Sequence, residues 1–166
     1  MIERQSPYIA RQQRLADLVA AIQVMGTYRY SGRKVNSWAK ILGEKPKSAD
    51  SWLIVFNEHP EFFRAGVDDA GFQTLALRRA QPRIYNTRTR EEMTLEQIQA
   101  IPKERRSHIS RRPLSSEQIL SLVDVAVKLH TQAIARRQEL RWWVAMLIGL
   151  ASSFVGAFVA ALIKAG

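Results

Sequence analysis

The chain has 166 residues, with 25 Lys and Arg against 15 Asp and Glu, a formal charge of +10, and no cysteine. That composition excludes disulfides and thiolate metal sites, fits a reducing compartment, and makes an anionic partner the first expectation, either lipid headgroups or nucleic-acid phosphates. With a C-terminal helix set aside, about 110 residues remain for a globular part, room for one small core.

The opening MIERQSPYIARQQRLADL holds Glu3, Arg4, Arg11 and Arg14 and no apolar signal-peptide core, so it is not expected to direct secretion. Ser6 and Pro7 suit a helix start. Leu15, Leu18, Val19, Ile22 and Met25 recur at helical spacing up to Gly26, which is placed to end the run. TYRYSGRK alternates Tyr28 and Tyr30 with polar neighbours and predicts a short strand; a second helix follows over residues 35–42, closed by Gly43. After KPKSAD, with Ser48 available as a cap, SWLIVFNEHP predicts a third helix that Pro60 ends, placing Trp52, Val55 and Phe56 on one side. EFFRAGV and FQTLALRRA then read as a hairpin around Asp68, Asp69, Ala70 and Gly71.

Three helices followed by a hairpin predict a mainly α fold whose residues 1–82 form a winged-helix-like domain. Winged helices often bind DNA through their third helix. Here its polar side offers Asp50, Ser51, Asn57 and Glu58 and no Arg or Lys, which does not suit base edges or phosphates. Lys45 and Lys47 in the preceding turn, with Arg64, Arg78 and Arg79 in the wing, are the cations left to meet phosphate or lipid, although a solvated surface is the preferred reading.

Residues 83–113 read as a basic surface connector. It carries Arg83, Arg88, Arg90, Lys103, Arg105, Arg106, Arg111 and Arg112 around one short helix at 94–101, where Thr94 and Gln97 have capping-box spacing. Arg105, Arg106, Arg111 and Arg112 join the candidate phosphate or lipid contacts. With Tyr85 its one aromatic residue, the connector is a poor stacking platform for single strands.

Ser115 and Gln118 open a long helix with no glycine or proline before Gly149. Over residues 114–141, Ile119, Leu122, Ala126, Leu129, Ala133 and Leu140 alternate in steps of three and four with Arg136 as the misfit, a coiled-coil seam. The same stripe fits packing back on the chain's own domain, and periodicity leaves both open.

Residues 142–163 carry no charge and as a helix would rise roughly 33 Å, enough for a hydrocarbon core of about 30 Å. A transmembrane helix is expected there, with Arg141, Trp142, Trp143 and Lys164 at its membrane interfaces. Every basic residue except Lys164 precedes it, so the positive-inside bias predicts a tail-anchored, single-pass protein with its N-terminal domain cytoplasmic and a three-residue tail beyond. Ala145, Gly149, Ser153, Ala157 and Ala161, with Gly156 in the adjacent row, are small residues at spacings that let helices pack in lipid. Membrane lipid, a second copy of the chain and a cytoplasmic protein are therefore the expected partners, ahead of nucleic acid.

His59, His108 and His130 lack metal spacing, no nucleotide loop is present, and no nucleophile has a base at motif spacing. No catalytic, cofactor or metal residue is assigned, and a non-enzyme is expected. At HPEFFR, with the tryptophan-containing helix before it and a single C-terminal span after it, the chain resembles a group of small bacterial membrane proteins, some bearing amidohydrolase names. The resemblance implies a bacterial inner-membrane setting and transfers no site residue. It leaves three functional classes: a membrane-tethered, self-associating adaptor, which is preferred; a membrane effector whose assembled spans perturb the bilayer, as in defence systems; and a membrane-anchored DNA-binding regulator.

Overall fold

The computed structural model describes residues 6–67 and 71–165; at positions 10, 140, 141, 145, 149–151 and 153–165 the description is of the backbone alone. The first helical segment is divided. α1 (Pro7–Ala10) and α2 (Arg14–Thr27) are separated by extended Arg11, at φ −137°, and left-handed Gln13, at φ 67°. The break lets Tyr8 turn inward. Its hydroxyl donates to Glu61, and His130 Nδ1 donates to its carbonyl at 2.9 Å.

α2 buries Leu18, Ala21, Ile22 and Met25 completely. Beyond it come β1 (Gly32–Lys34), α3 (Val35–Leu42), α4 (Trp52–Glu58), β2 (Phe63–Val67) and β3 (Gln73–Leu77). Gly43 ends α3 at φ 99°, in the left-handed half of backbone space where an L side chain would clash. Ser48 does not cap α4. It is buried against Asp17, whose carboxylate accepts from the Lys47 and Ser48 backbone amides at 3.1 and 2.7 Å and so fixes the loop between the helices. The strands form an antiparallel sheet in the order β1-β3-β2, with Phe63 opposite Leu77, Val67 opposite Gln73 and Gly32 opposite Ala76. The result is a mostly helical chain with small sheets. One apolar core lies between the helices and the inner sheet face, centred on Trp38, whose Nε1 donates to the Leu75 carbonyl at 2.8 Å.

The HPEFFR corner turns α4 into the sheet. The Phe62 and Phe63 amides both donate to the His59 carbonyl at 3.1 Å, the two phenylalanines enter the core, and Arg64 is left outside.

Residues 83–113 are more ordered than a surface connector. β4 (Tyr85–Asn86), β5 (Glu91–Glu92) and β6 (Ile109–Ser110) pair as a second antiparallel sheet in the order β5-β4-β6. Between them lie α5 (Leu95–Gln99), with both hydrogen bonds of the Thr94–Gln97 capping box, and a 3₁₀ turn at Lys103–His108.

α6 (Ser116–Ala165) opens with the Ser115–Gln118 capping pair. Its seam is used within the chain. Ile119, Ala126 and Ala133 are buried in the same core as α2, with Leu122 and Leu129 packed beside them; the Leu140 side chain lies outside the described residues. Gly26 lies one residue before the end of α2 and against Ile119 of α6. A Cβ there would stand 2.9 Å from Ile119 Cγ1, while Leu114 N donates to the Gly26 carbonyl at 2.9 Å. A coiled coil with another chain along that seam would have to displace the protein's own α2.

The expected membrane crossing at residues 142–163 is overturned: among the described residues no helix is long and apolar enough to cross a membrane. From Trp142 on, the exposed large apolar side chains among the described residues are Trp142, Trp143, Val144, Met146, Leu147 and Ile148. Arg136, Arg137 and Glu139 precede them. The single-pass, tail-anchored inner-membrane placement, the cytoplasmic assignment derived from it and the far-side tail fall with the span. Trp142 and Trp143 are exposed and pack edge to face, with ring centroids 6.0 Å apart. The side chains of Arg141, Ala145, Gly149, Ser153, Gly156, Ala157, Ala161 and Lys164, expected at membrane interfaces or in a packing seam, lie outside the described residues.

Candidate functional site

The second sheet lies against the open side of the first, and hydroxyls fix the join. Ser31 N donates to Ser110 Oγ at 2.9 Å, and Ser110 Oγ donates to Ser31 Oγ at 3.2 Å. This leaves a cleft of about 540 Å³ between the sheets, walled by Arg64 from β2, Arg83 and Arg111 from the connector, Tyr30, and the hydroxyls of Ser31 and Ser107. A second cleft of about 570 Å³ lies on the other side of Tyr30, walled by Arg29, Arg88, Arg90, Tyr85 and Thr87. Among the described residues no carboxylate lines either cleft.

The arginines of the first cleft are held for binding. Arg83 Nε donates to the Ile109 carbonyl at 2.8 Å, and Arg111 Nε donates to the Gln81 carbonyl at 2.9 Å. Each guanidinium is thereby anchored at one nitrogen while its terminal fork makes no hydrogen bond among the described residues. Arg64 has no polar partner among them. A fork anchored in this way has already lost much of its side-chain freedom, so it can take a phosphate or carboxylate in two parallel hydrogen bonds at less entropic cost.

The second cleft rests on a tight turn between β4 and β5. Asn86 holds it through its side chain, accepting from Arg88 N at 2.9 Å, and through its carbonyl, accepting from Arg90 N at 2.9 Å. Arg90 sits at φ 63°, where glycine is usual, so the turn accepts backbone strain to carry a cation there.

The nine cations singled out from the sequence are dispersed. Of these, Arg64 and Arg111 line the arginine cleft. Lys45 and Lys47 wall a shallower one that includes Asp50, with which Lys45 pairs at 3.2 Å. Arg78 Nε donates to the Pro60 carbonyl at 2.6 Å, Arg106 donates to the Ile101 and Gln99 carbonyls, Arg112 pairs with Glu92 at 3.5 Å, and Arg105 stays exposed. Arg79 turns inward. Its guanidinium donates to the carbonyls of Met25, Tyr28, Arg111 and Arg112, and burial, with Arg111 nearby, lowers its pKa to about 10. It ties the connector to the end of α2 and is not available to a phosphate.

α4 presents no cation outward. Glu58 pairs with buried Arg14 at 2.8 Å, and Ile54 is exposed. Below it lies a polar cluster. Tyr8 and His59 both bond Glu61, with His59 Nδ1 at 3.0 Å, and the Tyr8 ring stands edge-on to His59 at 4.6 Å. Burial lowers the His59 pKa more than Glu61 raises it. For Glu61, burial pulls upward, but the bonds from Tyr8 and His59 outweigh it and the carboxyl lies below its usual range. For Tyr8, burial and then Glu61 push the phenol well above its ordinary value. None of these three residues lines one of the clefts described above, and the Glu61 carboxylate is partly exposed. Among the described residues no group of His, Cys, Asp or Glu could hold a metal ion.

Arg64, Arg83, Arg29, Arg88, Arg90 and Tyr30 are the site residues that sequence reasoning did not bring together. Their nearness depends on the pairing of β4 with β6 and on the Ser31–Ser110 contact, which no local spacing announces; the alternation of Tyr and Arg from 28 to 30 was the one available signal. No protein-family model, curated protein or solved structure matches the chain, so the resemblance drawn at HPEFFR rests on those residues alone.

Proposed function

We propose that this chain is an interaction module rather than an enzyme, and that it holds a phosphate-bearing polyanion of nucleic-acid type in the arginine cleft. The observation that carries this reading is the anchoring of Arg83 and Arg111 through Nε, with their forks uncommitted, on a cleft without carboxylates. The formal charge of +10 supplies the long-range attraction. Sequence-specific reading of duplex DNA through α4 is not part of the proposal, since that helix turns no cation outward.

Fluorescence anisotropy with a labelled oligonucleotide tests it. Affinity should fall at least about tenfold between 50 and 200 mM salt, as phosphate contacts require. Arg64→Gln is the cleanest variant because that side chain holds nothing else in place; it should weaken binding severalfold and leave the thermal midpoint unmoved. Salt-independent binding, or an Arg64→Gln variant with unchanged affinity, overturns the reading.

A second reading, an adaptor that docks a protein through the helical body, is favoured by Ile54, exposed on a cation-free α4. Ile54→Asp would abolish such docking while sparing oligonucleotide binding.

A further inference from the structure

We infer that the polyanion is single-stranded nucleic acid, lying across Tyr30 with phosphates in both clefts and a base against the tyrosine ring. The inference rests on the reading above and deepens it. Tyr30 is the one side chain common to both cleft walls. Its neighbour Tyr28 is committed to the fold: Tyr28 packs edge-on to Trp38 at 5.3 Å, and its hydroxyl accepts from Arg33 at 2.6 Å. Tyr30 makes no hydrogen bond among the described residues and is only half-buried, with the Arg29 guanidinium 5.0 Å from its ring centroid. An aromatic ring with a cation over one face and the other to take a base, set between two groups of arginines, combines the two elements of single-strand binding: a stacking platform and a charged track for the backbone.

Shape separates this from duplex recognition. A major groove about 12 Å wide is read by an element that projects into it, an α-helix or a β-ribbon. Here the cations line recesses of about 540 and 570 Å³, within the roughly 300–1,000 Å³ range of pockets that enclose small ligands. Such recesses admit a nucleotide and exclude a duplex. α4 carries no positive charge with which to meet a duplex, since it presents Ile54, Asn57 and Glu58. Tyr85 adds a second ring in the far cleft, next to Arg88 and Arg90.

The test uses the full chain and three probes at one salt concentration: a labelled oligothymidylate, the same strand annealed to its complement, and inorganic polyphosphate. The single strand should bind at least tenfold tighter than the duplex. Tyr30→Ala should weaken single-strand binding by roughly tenfold, the scale of one stacked base, and leave polyphosphate within twofold, whereas Tyr30→Trp should retain both affinities. Photo-crosslinking of an iodouridine strand to the unaltered protein, mapped by mass spectrometry, should label Tyr30 or Tyr85, a readout that does not depend on a variant folding. Equal or tighter duplex binding, crosslinks confined to residues outside the two clefts, or parallel loss of polyphosphate in Tyr30→Ala overturns the inference. Binding of polyglutamate as tight as that of the single strand also overturns it and points to an acidic protein. Absence of salt-dependent binding to every probe is a separate result, which removes the reading beneath it.

Discussion

The helical body with its first sheet and the connector sheet solve the same problem with different materials. The body buries Trp38, Phe56, Leu18, Ile22 and Met25 in one continuous apolar cluster. The connector, over residues 83–113, buries Ile109 and two hydroxyl residues, Thr87 and Ser110, and Ile109 lies outside that cluster. Its strands of two residues could not persist on their own. They are held by arginines that reach backbone carbonyls: Arg79 to four of them, Arg83 to Ile109, Arg106 to Ile101 and Gln99, and Arg111 to Gln81. Arginine therefore serves the connector as scaffold as well as charge. Where only the Nε is needed for the scaffold, the remaining fork is free for a ligand.

If body and connector divide in this way, the largest loss should come from the body. Trp38→Ala removes its largest completely buried side chain and the bond to Leu75, and urea unfolding should show about 3–5 kcal/mol lost. Arg79→Met comes next, because it strips four carbonyls of a donor inside the join. A loss of about 2 kcal/mol is expected, with hydrogen exchange quickening at residues 105–113 while α2 stays protected; uniform quickening would show that body and connector are one unit.

Acid sharpens the comparison from the body's side. His59 is held below its ordinary pKa, so as pH falls below about 6.5 the unfolded chain takes up a proton that the folded chain resists, and stability drops. Glu61, held below the usual carboxylate range, contributes stability above its unfolded pKa that is lost as pH falls through its folded value. The two act in the same direction. Thermal midpoints should therefore decline from pH 7 to pH 4, and His59→Phe should remove the upper part of the decline. The smallest effect belongs to the connector. Arg90→Gly relieves a left-handed arginine, so stability should hold or rise by up to about 1 kcal/mol, while oligonucleotide affinity falls severalfold.

These two regions also differ in how far residue patterns reveal them. Helical spacing announces α3 and the bulk of α2, because burial repeats every three to four residues, and Gly43 ends α3 at the expected place. The break at Arg11–Gln13 escapes such reasoning, since it is set by Tyr8 meeting Glu61 and His130 across 53 and 122 residues. The stripe from Ile119 to Ala133 is plain in the sequence, but its partner is not: a heptad looks the same whether it faces another chain or α2. The uncharged run after Arg141 suggests a bilayer by composition, but among the described residues no helix is long and apolar enough to cross one. The arginine clefts are the least legible feature. A run of basic residues looks merely solvated until strand pairing shows which carbonyls restrain them.

The contact of Ile119 with Gly26 bears on how the protein is made. Because Ile119, Ala126 and Ala133 complete a core begun by Leu18 and Ile22, a nascent chain halted near residue 113 exposes the back of α2 to solvent or to chaperones. The ribosome must release the polypeptide as far as Ala133 before the body can close.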